Sequence, residues 1–74
     1  MIGMLWFDNS NDQLETKIKR AVAYYQSKYA KVVHTVVVNP MDAEDCTFPG
    51  ISIHPSRECL RHHLLVSEEE TIGN

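Results

Sequence analysis

Two cysteines, three glycines and three prolines leave this 74-residue chain with few of the residues that staple or punctuate a small fold. A small secreted scaffold usually carries about four to eight cysteines at patterned spacings, and Cys46 and Cys59 alone do not make such a framework. No glycine-rich phosphate loop occurs, so no nucleotide cofactor is expected, and no other cofactor signature is present. No apolar run approaches the roughly 20 residues of a membrane-spanning helix. The opening, MIGMLWFDNS, lacks a basic segment, and its apolar run is too short for a secretory leader. These features predict a cytoplasmic protein with reduced thiols and no membrane contact. Positive charge is also in deficit. The formal net charge is -3, the wrong sign for a protein held to nucleic acid by phosphate contacts.

What remains is an ordinary globular mix, 43% hydrophobic and 23% charged, which is enough to build a core. It predicts one domain over residues 1–67 and an acidic tail over residues 68–74 that frays. A chain this short buries only about 60% of the surface its unfolded form exposes. Such chains commonly draw stability from a partner, a metal or disulfides.

The patterning predicts five elements. Residues 2–7, IGMLWF, form a short apolar and aromatic run, the signal of a strand buried on both faces. Ser10 with Gln13 has the form of a capping box and places a helix start near Asn11. From Asp12 to about Ala30 the period is helical: Leu14, Ile18, Val22, Tyr25 and Tyr29 fall on one stripe, with Ala21 beside it. Residues 31–38, KVVHTVVV, are dense in β-branched side chains and read as a central strand. After an acidic loop, Pro49-Gly50 marks a turn and residues 51–54 a short strand. PSRE, at residues 55–58, suits a turn of helix, and residues 62–66 close the order with a strand.

The expected fold is therefore α/β in the α+β manner. A small mixed sheet of about four strands, in the order β-α-β-β-β, carries one helix on one face. The strand–helix–strand unit predicts its two strands parallel, and the short later loops allow antiparallel pairing. One helix cannot cover both faces of such a sheet, and an uncovered apolar face is an interface in waiting.

The stretches LWFDNSNDQLETKIKRAVAYYQSKYAK, VVVNP and ISIHPSREC together resemble a set of small uncharacterised bacterial proteins. These open with Leu-Trp-Phe-Asp, as residues 5–8 do. They continue with a Lys/Arg-rich helix ending in Tyr-Tyr and Lys-Tyr, here Tyr24-Tyr25 and Lys28-Tyr29, and a β-rich half with a Pro-Ser-Arg turn. The resemblance spans most of residues 5–66 and implies no activity.

Four places could carry chemistry. Cys59 and His62 have the spacing of a metal-ligand pair, to which Cys46, His54 or His63 would have to add further ligands. Adjacent strand residues face apart, so only one of His62 and His63 can share a site with Cys59, and His62 is the better placed. Cys59 is also a nucleophile candidate, with His62 or His54 as base and Arg57 and Arg61 to lower its pKa. Asp8, Asn9 and Asn39 close the first two predicted strands, and ligands in such units bind beyond the strands' carboxyl ends. Lys17, Lys19, Arg20, Lys28 and Lys31 give the helix a basic face, with Tyr24 off the core stripe as a contact residue.

Each candidate has a plainer explanation in packing, capping or a solvated helix face. The expectation is thus a non-enzymatic interaction or regulatory module that pairs with itself, as a dimer, or with another protein. The alternatives are a metal-binding or hydrolase-like protein at Cys59/His62 or the Asp8/Asn39 edge, and weak nucleic-acid binding by Lys17, Arg20, Tyr24 and Lys28.

Overall fold

The computed structural model describes residues 3–70. Ile2, expected in the first strand, and residues 71–74 of the acidic tail lie outside them. The described residues form strand β1 (Met4–Phe7), helix α1 (Leu14–Tyr29), strand β2 (Thr35–Val38), a 3-10 turn (Pro40–Asp42), strand β3 (Ser52–Pro55) and strand β4 (His63–Ser67). The four strands make one mixed sheet in the order β1-β4-β2-β3, and α1 packs on one face. This is the small α+β arrangement that the patterning predicts.

The strand pairing departs from expectation in two ways. β1 and β2 point the same way but are not neighbours, because β4 runs antiparallel between them. β2 and β3 pair parallel rather than antiparallel. Residues 39–51 separate those two strands, and a connection of about a dozen residues is long enough for a parallel return. Within it, Pro49 and Gly50 make the expected turn: Ile51 donates to the Phe48 carbonyl, and Gly50 takes φ 76, which costs a glycine little. β4 carries apolar residues on both faces, which suits an interior strand. Gly3 lets β1 begin close against it, since a Cβ there would overlap the Val66 carbonyl.

The helix starts at Leu14, three residues later than the Ser10–Gln13 box implies. Ser10 is consumed locally: its amide donates to Asp8 Oδ1 and its hydroxyl exchanges hydrogen bonds with Asp12. Gln13 becomes the N-cap without a side-chain bond, and the Leu14 amide instead donates to Glu44 Oε1 from the acidic loop, at 3.1 Å. A carboxylate at a helix N-terminus satisfies an orphan amide and meets the positive end of the dipole. At the other end Ala30 adopts φ 54 and donates to the Gln26 carbonyl. The Gln26 side chain then accepts from the Val33 amide, turning the chain into β2.

Leu14, Ile18, Ala21 and Tyr25 bury their faces against Val33, Val36, Val38, Leu64 and Val66. Tyr29, expected on that stripe, is 45% exposed, with its ring against that of Tyr25 at 4.9 Å. PSRE forms a turn, not a helical turn: Cys59 donates to the Ser56 carbonyl and Glu58 to the Ser56 hydroxyl. β1 is the larger surprise. It is an edge strand with one buried face, and Leu5 and Phe7 are each 58% exposed.

The left-handed Ala30 yields a stability prediction. A Cβ in that region costs about 1–2 kcal/mol, partly offset by the looser unfolded chain that glycine brings. Ala30→Gly is expected to raise the unfolding free energy by about 0.5–1 kcal/mol in urea titration. An unchanged or lowered midpoint would contradict the cap assignment.

Candidate functional site

The carboxyl end of β1, residues 41–44 of the loop after β2, the start of β4 and the N-terminus of α1 surround a cleft of about 320 Å3. Asp8 and Asn9 line it, as their position beyond the first strand predicts, together with Lys17, Asp42, Glu44 and His62. Asn39 does not line it. Its Nδ2 donates to the Cys59 carbonyl and its Oδ1 accepts from the Met41 amide, each at 2.8 Å, so both ends hold the turn. The two strand ends expected to meet are kept apart by β4, which lies between them.

The charges of this cleft hold one another. Arg20 reaches Asp8 at 3.3 Å and Asp12 at 2.8 Å. The Ser10 hydroxyl and amide, with help from Lys17 and Arg20, keep the Asp8 pKa below the ordinary range against a smaller opposing effect of burial. Asp42 binds Arg61 Nε at 2.7 Å and accepts from the His62 amide at 2.6 Å. Burial opposes its ionisation, but those bonds and the Arg61 charge together prevail and lower its pKa. Asp42 thereby clamps the β3–β4 connection, including His62, which takes φ 65. Asp42 and Glu44 were not among the sequence candidates, and Arg61 was considered only as a neighbour of Cys59. Asp42 meets its partners about twenty positions along the chain and Glu44 its amide thirty, so no local spacing marks them.

Cys59 lies on the opposite side of the sheet from α1. Its Sγ faces the carbonyls of Val37 at 3.5 Å and His63 at 3.4 Å. Burial raises its pKa, the reverse of what nearby Arg57 and Arg61 predict, since Arg61 is already spent on Asp42. His62 stands outside the strand and is exposed; His63 opens it, with its ring 5.0 Å from that of Phe7. Cys46 packs against the core under α1, while His54 alternates to the other face. Among the described residues no group of three or more His, Cys, Asp or Glu is placed to hold a metal ion.

Three of the basic residues, Lys19, Arg20 and Lys28, are also engaged. Lys19 pairs with Glu15 at 3.1 Å, and Lys28 donates to the Tyr24 hydroxyl while lying over the Tyr24 and Tyr29 rings. The start of the acidic tail makes two hydrogen bonds to the body of the fold. Glu68 accepts from the Tyr25 hydroxyl at 3.1 Å, and the Glu69 carbonyl accepts from Thr35 at 2.6 Å.

These contacts settle how much of the second sheet face is covered. The connection through Cys59 buries Val37, and residues 68–69 bury Thr35 and Ser67. Leu5, Phe7 and Leu60 are left open beside a groove that includes Val37, His54 and Leu65. Among the described residues no helix is long and apolar enough to cross a membrane. Compared with protein-family models, curated proteins and solved structures, the chain matches none.

The Asp42 clamp gives a pH prediction. A carboxyl whose folded pKa is depressed stabilises the fold above the ordinary value of 3.8, and that contribution is lost as the pH falls through the lowered folded value. Asp42→Asn keeps an acceptor but removes the titration. Its urea stability is expected to fall less steeply than the parent's on acidification below about pH 5. Parallel curves for the two proteins would show that Asp42 is not a stabilising charge.

Proposed function

We propose that this chain is a small non-enzymatic interaction module that associates with a second copy of itself through its sheet. The observation that carries the reading is the exposure of Leu5 and Phe7 at 58% and Leu60 at 65%, all on the side away from α1. Scattered apolar side chains on a surface are ordinary, but Leu5 and Leu60 line one groove, and Phe7 shares the strand face of Leu5. A core of thin cross-section also gains from added burial.

The enzyme reading is weaker on the same coordinates. The acids of the strand-end cleft are held by arginines and amides, and Cys59 is a buried thiol with a raised pKa. Neither arrangement leaves a poised base or nucleophile. Nucleic-acid binding by the helix is disfavoured because Lys19, Arg20 and Lys28 already have partners within the chain. A cytoplasmic setting belongs to the proposal, and the two free cysteines are consistent with it.

Sedimentation from micromolar to millimolar protein tests the reading. A mass rising to about twice the 8.5 kDa of one chain is expected. A mass of one chain throughout would overturn it.

A further inference from the structure

The sheet has two edges, and the chain treats them differently. β3 ends in Pro55, which has no amide to offer, and proline on an edge strand blunts it. β1 is Met-Leu-Trp-Phe, with no proline and no charge. Nothing within that strand discourages another strand from pairing with it.

The main-chain groups on the open edge can be assigned. Asp8 donates to the His62 carbonyl at 2.9 Å, in register with the β1–β4 pairs. Antiparallel pairing alternates, so Met4 and Trp6 also turn their main chain toward β4. Leu5 and Phe7 therefore turn theirs outward. The same two residues project their side chains onto the open sheet face, where each is more than half exposed. On the other face, Tyr24 packs on Trp6 with ring centroids 5.4 Å apart, and Tyr29 borders Met4 and Leu5. The Trp6 indole nitrogen is buried with no hydrogen-bond partner, an arrangement that usually costs about 1–3 kcal/mol.

From these positions we infer that a second copy docks edge to edge, β1 against the partner's β1, antiparallel about a two-fold axis at Trp6. This rests on the self-association reading and specifies its geometry. In this register Leu5 faces the partner's Phe7, and Phe7 the partner's Leu5. Every outward amide and carbonyl of the two strands is then paired, and the two four-stranded sheets become one. The neutral strand meets its own copy without opposing like charges. The two-fold places Trp6 against the partner's Trp6, which brings a second chain to the strand carrying the unpartnered indole.

The apolar side chains beside the edge supply part of the area that a stable dimer needs. At about 200 Å2 for a large side chain, the exposed parts of Leu5, Phe7, Tyr24 and Tyr29 amount to roughly 400 Å2 beside the edge. That is about half of what each partner buries in a stable complex, and the strand main chain and the helix flank add to it.

Charge placement tests the register. Leu5→Lys and Phe7→Glu each alter an exposed residue, and far-UV circular dichroism checks that the variants fold. Either substitution alone sets a charge against an apolar partner residue twice per dimer, and about tenfold weaker self-association is expected. The double variant sets opposite charges face to face at both places, and its association is expected to recover to within about threefold of the parent. Single variants that dimerise like the parent, or a double variant as weak as the singles, would overturn the β1 register. A parent that never dimerises overturns this register and the self-association reading together. A parent that dimerises while ignoring these charges leaves self-association standing and moves it to another surface.

Discussion

The insertion of β4 between β1 and β2 is the constraint on which everything else depends. It places Leu64 and Val66 under α1, where they meet Ile18, Ala21 and Tyr25. The same strand alternation sends Leu65 to the far face, beside Leu5 and Val37. It pushes β1 out to the edge of the sheet and separates the ends of β1 and β2. The strand-end cleft and the exposed β1 are thus two consequences of one pairing choice.

Coverage of the second sheet face follows a simple economy of chain. With one helix available, the face opposite α1 is closed by connections. Cys59 is laid over Val37 by a connection that Asn39 and Asp42 anchor from the other loop. Thr35 and Ser67 are buried at the other end by residues that follow β4. On that face Leu5, Phe7 and Leu60 stay more than half exposed.

Much of this was legible in the sequence. The 3.6-residue stripe found Leu14, Ile18, Ala21 and Tyr25, and residues 62–66 read as the closing strand. Those signals are local and periodic, so composition along the chain reveals them. The strand order was not legible, because no local pattern says which strand β4 will pair with. Continuous apolar character in residues 2–7 reads as burial on both faces, yet it belongs here to an edge. Asp8 and Asn9 lie at the strand-end cleft where strand-end logic places them, whereas both ends of the Asn39 side chain hold the turn. Glu44 and Asp42 were invisible as partners of Leu14 and His62, because their roles depend on contacts across loops. Ser10 shows the opposite failure: a correct-looking capping box lost to a tighter local turn with Asp8 and Asp12.

The central claim is that the outward main chain of β1 is completed by a second copy. Residue-resolved hydrogen exchange at Leu5 and Phe7 measures it most directly, with Trp6, bonded toward β4, as the internal reference. Strand pairing predicts that protection of the Leu5 and Phe7 amides rises with protein concentration while that of Trp6 stays high throughout. Fast exchange at Leu5 and Phe7 at concentrations where the chain sediments as a dimer would contradict it.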